Sequence, residues 1–236
     1  MITLYKFGPA FGLRETGPFV LKLMAYMRLC GIDFTEEVQG DPRKAPKGKI
    51  PYIKDGDALI GDSAFIIKHL KTKFGDPLAE GLSGEQLAAG HALKVMLEER
   101  TSWAGMIYPR WVKKDHHKLL ANTFFDNVPS LIRGMIFGMV AKGVKRNMQG
   151  QGMTRHVEAE IYELGIDDIK AVETLLGDKL FMLGERPAEI DCTVYPFLYG
   201  MGEDVFPTGI KDYINGVPAL KAYVARMEAA VFGEES

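Results

Sequence analysis

The sequence predicts a small α/β domain followed by an all-helical one. Three observations carry this. Short apolar runs with strand character are confined to residues 2–60. A stretch rich in glycine and proline, Gly75 to Gly84, then interrupts the pattern. Beyond it, apolar residues recur only at helical spacing. The expected division is residues 1–75 for the first domain, 76–84 for a linker and 85–236 for the helical domain.

Each element has a local reason. Ile2 to Phe7 reads as a buried strand. Residues 8–17 form a loop, and Pro18 opens a helix, where its missing N–H does no harm. That helix runs from Phe19 to Cys30, with Phe19, Leu23, Tyr26, Met27 and Cys30 at helical spacing, and Gly31 ends it. Phe34 to Val38 is a second strand. Lys49 to Ile53 and Ala58 to Ile60 are two further strand-like runs around the turn Asp55-Gly56-Asp57. A helix follows from Ala64 to Phe74. The order β-α-β, then β-β-α, is the thioredoxin-like arrangement of an α/β sandwich. Ser83 and Gln86 form a capping box for the next helix. The remaining helices are expected at Glu85–Tyr108, Trp111–Phe125, Ser130–Arg146, His156–Leu176, Ile190–Tyr199 and Pro218–Phe232.

Composition bounds the function. The 236 residues are 47% hydrophobic and 25% charged, with a net charge of −2. That is ordinary globular composition without the basic excess of a nucleic-acid partner. The two cysteines, Cys30 and Cys192, lie far apart and read as reduced thiols of a cytoplasmic protein. No run approaches the roughly 20 apolar residues that span a bilayer. His116 and His117 are adjacent on a helix and do not face one metal site.

The chemistry centres on Ile50-Pro51, followed 11 and 12 residues after the proline by Asp62 and Ser63. A proline inside a strand-like run has no N–H for a ladder, and a cis Ile50-Pro51 bond would turn the Ile50 backbone outward as a peptide-binding edge. Asp62 and Ser63 open a helix, where they cap it or offer a hydroxyl and N–H groups to a carboxylate. The ligand these features fit is short, peptide-like and anionic at one end. Strand-Ile-Pro-strand followed by Asp-Ser resembles the glutathione-binding half of the glutathione S-transferases, and the whole layout is similar to that fold. Asp191, after Gly184, resembles the family's helix-capping Asp, although Ala188 stands where a Ser or Thr is usual. Gly150-Gln151-Gly152 before Arg155-His156, with Lys22 and Arg28 in the first helix, resembles the metaxin and failed-axon-connections branch.

The resemblance implies glutathione as co-substrate, a hydrophobic electrophile, no metal and a homodimer. Glutathione's thiol, with an unperturbed pKa near 8.5, needs a hydrogen-bond donor or positive charge to ionise at neutral pH. The residue before Pro18, often Ser or Cys in related sequences, is Gly17, which offers only its backbone N–H. Thr16 can donate a hydroxyl, and Tyr5 on the first strand is either a donor or a core residue. Arg14 can add positive charge to the loop. For binding, the candidates are Ile50 through its backbone, Pro51, Asp62, Ser63 and Lys49, with Lys47 beside it. Trp103 and Tyr108 are candidates for a second-substrate pocket, or else core. Arg155 and His156 read as a structural helix start rather than acid–base groups. Two functions stay open: a transferase in which the thiolate attacks an electrophile between the domains, and a non-catalytic binding or scaffold protein related to metaxins.

Overall fold

A computed structural model describes residues 1–203 and 205–233. Four strands, β1 (Ile2–Lys6), β2 (Phe34–Val38), β3 (Tyr52–Asp55) and β4 (Ala58–Gly61), form one sheet in the order β2-β1-β3-β4. β1 pairs parallel with β2 and antiparallel with β3, which pairs antiparallel with β4. Alternation decides the faces. Ile2, Leu4 and Ile53 are buried under α1 (Pro18–Leu29) and α2 (Ser63–Phe74). Tyr5 and Tyr52, opposed across β1 and β3, stack on the other face with ring centroids 4.2 Å apart.

The helical half holds α3 (Gly84–Met96), α4 (His117–Phe124), α5 (Ser130–Gln151), α6 (Glu158–Leu176), α7 (Asp191–Gly202), α8 (Gly209–Gly216) and α9 (Pro218–Phe232). α1 is buried at all eight positions from Val20 to Met27 because the sheet covers one side and α7 and α9 the other. Phe19 meets Phe197 of α7 edge-on at 5.7 Å. Ser83 and Gln86 make the expected capping box.

Several helices differ from the sequence reading, and α7 ends at Gly202 rather than Tyr199. Pro109 was expected to separate two helices. Instead α3 runs on through π-helical turns at Leu97–Thr101 and Trp103–Val112, with Pro109 inside. Wider i→i+5 turns accommodate a residue that has no N–H to give. His116 and His117 then donate ring N–H groups to the carbonyls of Pro109 and Trp111, at 2.7 and 3.1 Å. α5 extends past Arg146 to Gln151, ending at Gly152 with φ 111°. α8 was not anticipated, because it is only eight residues long. Thr208 caps it and Ile210 and Ile214 bury its inner face.

Asp191 is wholly buried and accepts from Ala188 N (2.8 Å), Met182 N (2.9 Å) and the Tyr223 hydroxyl (2.8 Å). The half of the reciprocal cap that needs only an acid and a backbone N–H therefore forms despite Ala188. A second, smaller core is separate from the main one. Leu120, Ala121, Phe137, Ala141 and Phe206 form it, with Phe11, Trp111, Phe124 and Phe125 packed around them.

Candidate functional site

Strand register assembles the site. Tyr52 of β3 opposes both Tyr5 of β1 and Gly61 of β4. The residues just beyond these pairs, Ile50-Pro51, Phe7-Gly8 and Asp62-Ser63, therefore emerge at one end of the sheet. The Ile50-Pro51 peptide is cis. Loop 8–17 returns the chain to the same end. Thr16 N donates to Gly8 O (3.3 Å), and α1 starts at once from its N-cap Gly17.

Asp62 caps α2 by accepting from Ala64 N at 2.9 Å, but from a backbone with φ 81° and ψ 123°. Ser63, the first residue of α2, is buried, and its hydroxyl lies 3.5 Å from Nζ of Lys22 on α1. Lys22 has no exposed surface and pairs with Glu98 at 2.6 Å. Lys47 places its ammonium 3.9 Å over the Phe65 ring in the first turn of α2. Lys49 is exposed on the loop before Ile50.

The start of α1 is arranged around a residue the sequence reading did not single out. Glu15 is 2% exposed, and its carboxylate accepts from Gly8 N (2.9 Å) and Gly17 N (3.0 Å). Burial pushes its carboxyl above the usual range, against the pull of those two N–H groups. The Gly17 N–H, the donor expected there, is thus already taken. Phe7 closes over the same point: a side chain at Gly17 would begin 3.0 Å from its ring. The Thr16 hydroxyl is buried and faces Gly8 O at 3.5 Å, while Arg110 Nη1 donates to Thr16 O at 2.9 Å. Tyr5 faces Glu37, and burial followed by that carboxylate raises its hydroxyl pKa. Arg14, expected to lend charge to this loop, stands instead 3.8 Å from Glu228 and 4.3 Å over the Phe232 ring, while its N–H donates to Tyr199.

Trp103 packs against the main core, and Tyr108 meets Tyr162 edge-on at 5.9 Å, with burial and Glu158 raising its pKa. Phe124 and Phe206 also reach loop 8–17, meeting Phe11 at 5.3 and 5.2 Å. His156 stands 3.5 Å from Glu160 at the start of α6. Lys22 carried a signal in sequence, as the single charge in Val20–Met27. Glu15, Glu98 and Arg110 carried none, since their partners are set by loop closure and by contacts 76 and 94 residues away for the Lys22–Glu98 and Arg110–Thr16 pairs.

Comparison with known proteins gives the family and the fold. Residues 18–116 match the model of the glutathione S-transferase N-terminal domain, and residues 165–227 that of the glutathione S-transferase C-terminal domain. The chain is 33% identical to the isoprene-epoxide–glutathione S-transferase of Rhodococcus sp. (strain AD45), over 96% of this chain and 98% of that protein. It is 30% identical to Failed axon connections of Drosophila melanogaster, covering 98% of this chain but 58% of that one. Human metaxin-2 is 22% identical over 90% of this chain and 81% of its own. Among solved structures, the β-etherase LigF of Sphingobium sp. strain SYK-6 superposes with a TM-score of 0.65 at 19% identity, covering 98% of this chain and 96% of that one.

Proposed function

Because the chain belongs to the glutathione S-transferase family, on the metaxin-like side of it, we propose that it binds glutathione where Ile50-Pro51 meets Asp62-Ser63 and joins the thiolate to a small electrophile. The observation that carries this is Asp62. A non-glycine residue at φ 81° costs about 1–3 kcal/mol. Helix capping alone does not require it: Ser83 and Thr208 cap α3 and α8 from ordinary φ values of −72° and −147°. Strain of this kind concentrates at ligand-binding positions.

In this reading Ile50 presents its backbone to the tripeptide and Pro51 sets that backbone's direction. Ser63 and the α2 N-terminus take the γ-glutamyl carboxylate, and Lys49, with Lys47, takes the glycyl carboxylate. Thr16 turns its hydroxyl to the sulfur, with Tyr5 the next candidate. Trp103 and Tyr108 wall the second-substrate side, and Gly17 lets the start of α1 lie against the Phe7 ring, where a side chain would not fit. An epoxide is the electrophile we favour, from the relative that conjugates isoprene epoxide. The thiol gives its proton to Glu15, the thiolate forms the C–S bond as a C–O bond of the ring breaks, and the alkoxide takes the proton back. Domain boundaries at residues 76–84, a homodimer and a cytoplasmic setting belong to the same proposal. Among the described residues no helix is long and apolar enough to cross a membrane.

One observation favours the second reading, a non-catalytic glutathione-holding or scaffold protein related to metaxins. The Gly17 N–H is committed to Glu15, so α1 offers no free donor there to a thiolate. Calorimetry of glutathione with wild type and Ser63→Ala, followed by ultraviolet titration of the bound thiol, separates the readings. Affinity lower by about tenfold or more in the variant, the worth of one hydrogen bond to a charged group, together with a thiol pKa below that of free glutathione, supports the transferase. Binding with an unshifted thiol supports the holder. No binding at millimolar glutathione overturns the transferase and leaves the scaffold, with the helical half as the place to look for a partner surface.

A further inference from the structure

Lys22 has no structural need to be a lysine. It lies inside eight consecutive buried residues of α1, wholly enclosed, with its ammonium 2.6 Å from Glu98 and 3.5 Å from the Ser63 hydroxyl. A buried ion pair is a weak source of stability, and apolar replacements of similar volume often match it. The pair also ties the first helix of the α/β half to the π-helical continuation of α3, directly beneath the first residue of α2.

The chemistry of the three groups fixes a direction. An ammonium has only donors, so toward Lys22 the Ser63 oxygen can present only a lone pair. Its single O–H proton is then turned away from Lys22 and is free to donate. The positive charge below and the N-terminal end of α2 both favour an anion as the acceptor. Glu98 neutralises the buried cation at 2.6 Å, while the Ser63 oxygen accepts from Lys22 and keeps its own O–H to donate outward.

We propose that Lys22 is a positioning residue. It holds the Ser63 hydroxyl as an obligate donor and so makes the site select a ligand carboxylate at the α2 N-terminus. This rests on the glutathione reading above, with the γ-glutamyl α-carboxylate as the selected group. Two probes test it: glutathione, and 4-aminobutanoyl-cysteinyl-glycine, the same peptide without that carboxylate. Affinities are measured by calorimetry for wild type and for Lys22→Met/Glu98→Gln, which removes the cation without leaving an orphaned anion.

Wild type should prefer glutathione by about tenfold or more. The double variant should lose most of that preference, the α2 N-terminus keeping the rest, while its affinity for the truncated peptide stays within about twofold of wild type. Adding Ser63→Ala to the double variant should change nothing further, since both act through one hydrogen bond. Unchanged preference in the double variant overturns the inference. Equal loss for both peptides also overturns it, because that is the signature of a merely structural lysine. Wild type that binds neither peptide overturns the glutathione reading itself. If the double variant does not fold, Lys22→Gln/Glu98→Gln decides: an amide can accept from Ser63 as well as donate to it, so the preference for the carboxylate should fall, and an unchanged preference overturns the proposal.

Discussion

Replacing Asp191 with alanine should be among the most damaging single changes outside the site. The carboxylate is fully buried and serves three donors at 2.8–2.9 Å: Ala188 N, Met182 N and the Tyr223 hydroxyl. Alanine leaves all three without their acceptor. The tyrosine hydroxyl can rotate, but the two N–H groups are fixed by the backbone. An orphaned buried donor costs about 1–3 kcal/mol. Two fixed donors and a displaced hydroxyl therefore amount to about 4 kcal/mol. At about 2–4 °C per kcal/mol for a chain of this length, the melting temperature should fall by roughly 12 °C. Asp191→Asn keeps one oxygen but turns an NH2 group toward a donor, and should lose about half as much. Urea unfolding followed by circular dichroism gives the free energies, and a thermal scan gives the shift. A loss below about 1 kcal/mol for Asp191→Ala would show that water or a rearranged loop replaces the carboxylate, and the account of the α7 start would be wrong.

Two further outcomes are expected. Asp55 is held by Lys73 (2.7 Å) and His69 (2.8 Å), and Lys73, then His69, depress its carboxyl pKa. Its contribution is therefore present above the unfolded value, near 3.9, and is lost as pH falls through the lower folded value. Thermal scans of wild type and Asp55→Asn should differ at pH 6 and converge near pH 2; a gap that persists at low pH refutes the pairing. Gly165 lies where an added Cβ would be 2.3 Å from Ile210 Cδ1 and 3.3 Å from Ala104 Cβ. Gly165→Ala should destabilise the protein by about 1–3 kcal/mol, and Ile210→Val in the same chain should restore part of it. Additive losses in urea titrations would place the strain elsewhere.

Much of this architecture was legible because local rules and tertiary demands agree. The strands alternate, Pro18 sits where a helix tolerates it, and Ser83 and Gln86 cap α3 as their spacing requires. The end of the sheet carrying Ile50-Pro51 and Asp62-Ser63 followed once Tyr52 was placed opposite both Tyr5 and Gly61. What stayed hidden depends on long-range closure. Nothing near Glu15 in sequence says that its carboxylate will take the N–H of Gly17, and nothing near Arg110 says that it will hold Thr16. The helix through Pro109 was missed because proline usually breaks an i→i+4 ladder, whereas here two histidines satisfy the carbonyls at its end. α8 had a signal, Thr208 followed by Ile210 and Ile214, but eight residues with a glycine at each end give little periodicity to count.

The separation of the smaller aromatic core from the main one has a consequence for how this protein can change. Phe11 carries loop 8–17 onto a cluster built from α4, α5 and Phe206, and neither matched domain covers residues 117–164. Substitutions at Phe11, Phe124 and Phe206 can reshape that loop's support while the residues under the sheet keep their packing. The support of that loop can therefore vary without disturbing the residues that hold the sheet to α1, and the smaller core alone bears the cost of the change.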